Sequence, residues 1–181
     1  SKKMIKHAAA SSGTLLFPTT HYDLARVGIS LYGLWPSAET EAALGDRIKL
    51  APALTWKTII SETKKLKRGD KIGYDLTETL DRDTTIAVCP LGYWHGYSRT
   101  LSSVARVLVN GQRCRVLGRV SMDMITIDLG SSAKEKIGAV VTLLGTDKNE
   151  TISAENLAAL TDTTNYEIIT RLNPLIRRVY R

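Results

Sequence analysis

The sequence predicts a mainly β fold with a pair of helices near its end, and three observations point that way. From residue 50 onward, short apolar segments recur between glycine, asparagine and aspartate turn signals, the spacing of strands. Asn110-Gly111 stands between two such segments and is the best short-range hairpin signal in the chain, because both residues tolerate positive φ. Before residue 40 the texture differs: Ala25-Arg26-Val27-Gly28-Ile29-Ser30-Leu31-Tyr32 is nearly continuously apolar, as a strand covered on both faces of a parallel sheet would be. The change of texture near residue 40 divides the chain into a first region over 1–38, a linker over 39–49 and a β domain over 50–181.

Each element has a local reason. Residues 4–10 form a first strand-like piece, ending in the small and polar run His7-Ala8-Ala9-Ala10-Ser11-Ser12-Gly13. Pro36 and the acidic stretch 39–46 read as the linker. Residues 54–66, rich in Thr and Ile, read as one long strand closed by the turn Arg68-Gly69-Asp70, with 71–74 following. Residues 84–89 form a second apolar strand, 106–109 and 113–117 the hairpin arms, and 124–129 and 139–144 complete the set. Ser153 is placed to cap the first helix, and Thr164-Asn165-Tyr166-Glu167 has the spacing of a capping box leading into Ile168, Ile169 and Leu172. Arg178-Val179-Tyr180 is expected as a last strand.

Composition excludes several classes. With 43% hydrophobic and 24% charged residues among 181, the chain is not disordered, collagen-like or a coiled coil. The longest charge-free stretches, 8–22 and 27–38, are broken by Ser, Gly, Thr and Pro and fall short of the roughly 20 apolar residues a bilayer needs, so no membrane partner is expected. Residues 2–17 imitate a signal peptide, but Ser11, Ser12 and Gly13 interrupt the apolar region and no small-x-small site follows Phe17; a cytoplasmic protein is expected. Cys89 and Cys114 read as structural thiols, and with three scattered histidines they offer no metal-ligand spacing, so no metal is expected. Lys and Arg exceed Asp and Glu by 25 to 18, and a formal charge of +7 invites an anionic partner. The cluster Lys64, Lys65, Lys67, Arg68 has no interleaved aromatics to stack bases, and it reads as a solvated face rather than a nucleic-acid site.

Three places could carry chemistry. Ser11 with the Gly28 and Ile29 amides suits a phosphate, which barrels of alternating strands and helices bind in loops after their last strands; the alternative is that Ser11 caps a helix and Gly28 relieves crowding. Gly73-Tyr74-Asp75 and Leu91-Gly92-Tyr93-Trp94-His95-Gly96-Tyr97 bring tyrosines to strand ends. In Val120-Ser121-Met122-Asp123-Met124, a carboxylate flanked by methionines in an apolar strand must find a partner or face a cavity, unless it caps the following strand pair.

In order and spacing these segments resemble alanine racemase, the pyridoxal-phosphate enzyme that interconverts L- and D-alanine. The residues that carry the likeness are Lys6-His7 with Ser11; the block from Leu24 to Ser37; Gly73-Tyr74; Leu91-Gly92-Tyr93; Gly118-Arg119-Val120-Ser121-Met122-Asp123; and Asn165-Tyr166-Glu167. The resemblance implies a β-barrel C-terminal domain with a helical pair, preceded by the last strands of a truncated (β/α)8 barrel. It also implies a family lysine that binds the cofactor covalently in a Lys-Ala-Asn-Ala-Tyr-Gly type of motif, and no such motif occurs in these residues. A first residue Ser1 agrees with a separately produced piece, expected to be inactive without that lysine.

Racemisation takes a proton from one face of the α-carbon and returns one to the other, so two acid/base groups must stand on opposite sides. The resemblance gives one face to the lysine and the other to a tyrosine from the partner subunit of a homodimer, matched here by Tyr74. A phenol, with an ordinary pKa of about 10, needs a neighbouring cation or donor to act as a base at neutral pH. Arg26 matches the residue facing the pyridine nitrogen, where a guanidinium that gives up no proton would favour racemisation over side reactions. His7 matches a support for that arginine, and Ser11, Gly28 and Ile29 match phosphate contacts. Tyr93 matches a residue of the substrate entrance, and Met122 with Asp123 the segment near the substrate carboxylate. The implied substrate is alanine and the implied product D-alanine for peptidoglycan.

The chain departs from the family in places. Tyr93-Trp94-His95-Gly96 replaces Tyr-Ala-Asp-Gly, Asp75 stands where glycine is usual, Ala10 replaces an asparagine before the phosphate serine, and Pro174 aligns with a tyrosine that often contacts phosphate. The competing reading is a non-catalytic β module for dimerisation or nucleic-acid binding, motivated by the charge and the absent lysine motif.

Overall fold

The computed structural model describes residues 4–180. It divides into two compact units, Ser1–Leu54 and Thr55–Arg181.

The first unit holds two short helices, α1 (Ser11–Leu16) and α2 (Ala38–Leu44), and 3-10 turns at Pro18–Thr20 and Ile29–Tyr32. The strand expected over 25–32 is not formed: its second half is the 3-10 turn, and Leu31 is 72% exposed. A parallel strand draws its hydrogen bonds from neighbours that lie far off in sequence. Here residues 23–26 reach the 6–9 segment through two isolated backbone bonds, Asp23 N–H to the Lys6 carbonyl (3.0 Å) and Arg26 N–H to the Ala9 carbonyl (2.8 Å), while Leu24 N–H bonds the His21 carbonyl nearby in sequence (3.1 Å). The stretch read as a linker contains α2. Ser37 Oγ accepts the Thr40 N–H at 3.3 Å, and Glu39 and Glu41 lie in the first turn, where negative charge meets the positive end of the helix dipole. Thr40 and Leu44 are its buried face.

The second unit is the β domain. Its strands are β1 (Trp56–Ile59), β2 (Glu62–Leu66), β3 (Lys71–Ile72), β4 (Glu78–Thr79), β5 (Thr84–Cys89), β6 (Arg106–Val109), β7 (Gln112–Leu117), β8 (Ile125–Gly130), β9 (Val140–Asp147) and β10 (Glu150–Ile152), followed by α3 (Ala154–Leu160) and α4 (Asn165–Thr170). The main sheet runs β1-β9-β6-β7-β8-β5-β2, with β10 added to β9 and β3 paired with β4 apart. Every pairing is antiparallel.

The long strand expected over 54–66 is broken at Ile60-Ser61. Ile60 N–H bonds the Ala139 carbonyl beside β9, whereas Ser61 N–H bonds the Val88 carbonyl of β5, so the chain changes partner between adjacent residues. The two ends of the sheet are thereby consecutive in sequence, and the sheet closes into a barrel. Closure leaves few edges. β2 carries Lys64 and Lys65 exposed, where charge discourages pairing with another chain.

Alternation places the core. In β8, Ile125, Ile127 and Leu129 are buried while Thr126, Asp128 and Gly130 are half-exposed. Val107, Leu108, Val116, Val141 and Leu143 are fully enclosed, and such side chains contribute about 1.5–3 kcal/mol each. Asn110 (φ 54°) and Gly111 (φ 78°) both take the left-handed conformation that a two-residue turn between β6 and β7 requires. Ser153 caps α3 and Asn156 returns the bond, as expected of the serine. The capping box expected at Thr164 is not made: Glu167 is drawn instead to the Thr163 hydroxyl and the Arg171 guanidinium. No strand forms over 178–180, where Val179 is 67% and Tyr180 91% exposed. Cys89 and Cys114 are free and buried, and burial pushes their thiols up to about 12 and about 11.

Candidate active site

In the first unit, Ser11 is buried at the start of α1, and its hydroxyl accepts the Gly28 N–H (3.1 Å) and the Ser30 N–H (3.4 Å). The helix-capping alternative is excluded, since Ala10 occupies the cap position and no side-chain cap bond is made. A Cβ added to Gly28 would meet nothing within 4 Å, and the Ser30 hydroxyl is buried without a partner. Open space beside converging amides and hydroxyls, with an orphaned donor at its side, is what a phosphate monoester needs, and the residues fit such a group. Ile29 is buried next to it. His7 and Arg26 are exposed, and among the described residues their side chains do not hydrogen-bond each other.

In the second unit, Tyr74 sits 69% exposed in the loop of the β3–β4 hairpin. The loop is tightly wound: Gly73 (φ 78°), Asp75 (φ 59°) and Leu76 (φ 52°) have positive φ, which costs about 1–3 kcal/mol at a non-glycine residue. Glycine would sit at position 75 without strain, and aspartate is one of the residues that tolerate it. Ile72 and Leu80 anchor the hairpin in a cluster with Ile86 and Leu117. At its base, the Glu78 carboxylate accepts from Arg115 (2.6 Å), Ser103 (2.9 Å) and the Gly118 N–H (3.3 Å). Burial opposes its charge, but these three donors hold the carboxyl below its ordinary value.

Tyr93 is half-exposed at the start of the turn Tyr93–His95. Its N–H bonds the Ser121 carbonyl (3.0 Å), and the Trp94 N–H bonds the Met122 carbonyl (2.9 Å). Gly92 makes this approach possible, because a Cβ there would lie 2.2 Å from the Ser121 oxygen. His95 Nδ1 accepts the Gly92 N–H at 3.1 Å and so closes the turn. The Asn173 amide holds the Trp94 carbonyl at 2.9 Å.

Met122 and Asp123 do not lie in an apolar strand. They form a tight turn in which Ser121 Oγ accepts the Met124 N–H at 3.0 Å, and both side chains are exposed. Solvent therefore meets the need for a buried partner. The segment 118–122 joins the site elements of this unit: Gly118 and Arg119 pack on the Tyr74 hairpin, and Ser121 and Met122 hold the Tyr93 turn. Sequence reasoning missed Glu78, Ser103 and Arg119 as partners. Their contacts span 25 to 44 residues of chain, and none is marked by a local pattern.

Among the described residues, no three His, Cys, Asp or Glu side chains are grouped as a metal site requires, and no helix is long and apolar enough to cross a membrane.

Comparison with known proteins bears on the family and the fold. The family model of the alanine racemase C-terminal domain matches residues 53–180, and that of the alanine racemase N-terminal domain matches residues 1–36. The chain is 40% identical over 180 residues to alanine racemase of Leptospira interrogans and 42% identical over 176 residues to that of Symbiobacterium thermophilum, covering in each case 97% of this chain and 46% of the relative. It thus spans about half the length of the curated relatives it matches. Among solved structures, alanine racemase from Bacillus anthracis with bound L-Ala-P superposes with a TM-score of 0.86 at 39% identity, over 92% of this chain and 42% of that one. The Streptomyces lavendulae enzyme gives 0.87 at 35% identity, over 98% and 46%. A mainly β barrel with few helices, preceded by the end of another barrel and matched by both domain models along nearly its whole length, belongs to the alanine racemase family.

Proposed function

We propose that these residues form part of a pyridoxal-phosphate-dependent enzyme that interconverts L- and D-alanine, working as a homodimer in the cytoplasm. The two free, buried thiols suit a reducing compartment. Residues 1–38 would contribute the cofactor-binding end of the barrel and 50–181 the β domain. The covalent lysine would come from the part of the relatives that this chain does not span. When bound, the cofactor takes up the charge left at the α-carbon as its proton departs.

This chain's own residues do the rest. The Ser11 hydroxyl and the Gly28 and Ile29 amides would hold the phosphate, and Arg26, with His7 on the neighbouring segment, would present a permanent positive charge to the ring nitrogen. Tyr74 moves a proton at the α-carbon from the face opposite the lysine, offered to the partner subunit's site. Tyr93, Met122 and Asp123 line the approach of the substrate carboxylate. The observation that carries this reading is that Tyr74 is held exposed on a braced, strained turn, its hydroxyl bonded to nothing among the described residues.

The test is racemisation of L-alanine by the full-length protein with pyridoxal phosphate. Tyr74→Phe is expected to lower kcat/KM by at least about a hundredfold. Unchanged activity would overturn the assignment.

A further inference from the structure

The Tyr74 turn contains a residue that proton transfer does not require. Asp75 adds a carboxylate at the residue that follows the phenol and holds it from a left-handed backbone, φ 59°, followed by Leu76 at φ 52°. A turn strained at adjacent non-glycine residues persists only where its surroundings over-determine it. Here the segment of Gly118 and Arg119 lies against it. Arg119 Nε lies 3.2 Å from Asp75 Oδ2, the Gly118 N–H reaches Glu78 at the base of the same hairpin, and a Cβ on Gly73 would lie 3.2 Å from the Arg119 nitrogen. The Arg119 side chain is 33% exposed, against 81% for Lys67 in the surface pair with Asp83, so solvent screens the Arg119 charge less.

We propose that the Asp75–Arg119 pair is a positioning device for Tyr74. Arg119 pins the carboxylate, the carboxylate fixes the backbone of residue 75, and that backbone sets the direction in which the preceding phenol is presented. The guanidinium also balances a negative charge that would otherwise stand unopposed on the residue after Tyr74. Neither residue touches substrate, and both act through Tyr74. The proposal rests on the role given to Tyr74 above.

Steady-state kinetics and α-deuterium isotope effects are measured in both directions on the full-length holoenzyme. The variants are Arg119→Gln, Arg119→Lys, Asp75→Asn, the double variant Arg119→Gln with Asp75→Asn, and Tyr74→Phe. Arg119→Gln is expected to lower kcat roughly ten- to a hundredfold with KM little changed, since a misplaced group costs rate rather than binding. Arg119→Lys recovers part of the loss by restoring the charge, and the double variant recovers part by removing the orphaned carboxylate. The isotope effect rises for the enantiomer whose proton Tyr74 removes and not for the other, which a general loss of folded protein would not produce. The loss in kcat/KM is the same in both directions, because a racemisation has an equilibrium constant of one, so the isotope effect alone separates the two faces. Arg119→Gln and Asp75→Asn that leave kcat and isotope effects unchanged while Tyr74→Phe abolishes turnover would sink the proposal, as would an isotope effect that rises alike for both enantiomers. Unchanged turnover in Tyr74→Phe would instead remove the reading on which it rests.

Discussion

Residues 106–117 and residues 4–32 are both apolar stretches joined by turns, yet only the first becomes sheet. In the β domain, Arg106 pairs with Arg115 and Val109 with Gln112 across a two-residue turn, so each strand finds its partner within a few residues. In the first unit, segments 6–9 and 23–26 share isolated hydrogen bonds, and Met4, Ile5, Phe17 and Leu31 remain exposed. The difference teaches that apolar content is not enough. An antiparallel hairpin carries its own partner, whereas a strand of a parallel barrel depends on neighbours delivered by crossovers from elsewhere.

That contrast can be broken by three measurements on the 181-residue chain. The largest effect is expected in the β domain: Leu143→Ala empties space in a fully buried site and should cost about 2–5 kcal/mol in chemical denaturation. A loss below about 1 kcal/mol would show that the closed sheet is loosely packed.

A smaller effect is expected at Glu78. Its carboxyl is held below the ordinary 4.5, so it contributes stability that is present above that value and lost as pH falls through the lower folded-state one. Glu78→Gln should cost about 1–3 kcal/mol at pH 7 and flatten the acid limb of the stability profile. An acid limb identical to that of the parent would place the titrating group elsewhere.

The smallest effect is expected in the first unit, where Leu31→Ala removes a side chain that is 72% exposed and should change stability by less than about 0.5 kcal/mol. A cost as large as that of Leu143→Ala would show that this face is covered in solution.

Much of the β domain was legible because its signals are local. Asn110-Gly111 announces its turn by backbone chemistry, and Ser153 announces α3 by a hydroxyl within reach of an N–H three residues on. No strand forms over 25–32, because a continuous apolar run reports burial in some assembly, not the presence of partners. The break at Ile60-Ser61 has no composition signal, since the change of partner is decided by β9 and β5. The box at Thr164 was outcompeted when Glu167 found Thr163 and Arg171.

The candidate site divides the same way. Tyr74 and Tyr93 stand out as tyrosines beside glycines, but the need for Gly92 lies in a carbonyl of residue 121, which no window around 92 contains. Met122 and Asp123 read as part of a strand but lie in a turn, because alternating polarity looks the same in a turn made by a serine hydroxyl.

The change of partner at Ile60-Ser61 has a topological price. One covalent link serves as the seam of the whole cylinder, so cutting it would leave the remaining ladders intact while turning a ring into an open ribbon with two raw borders. A nick at this peptide should therefore be felt first as self-association of folded molecules, ahead of any melting of the strands.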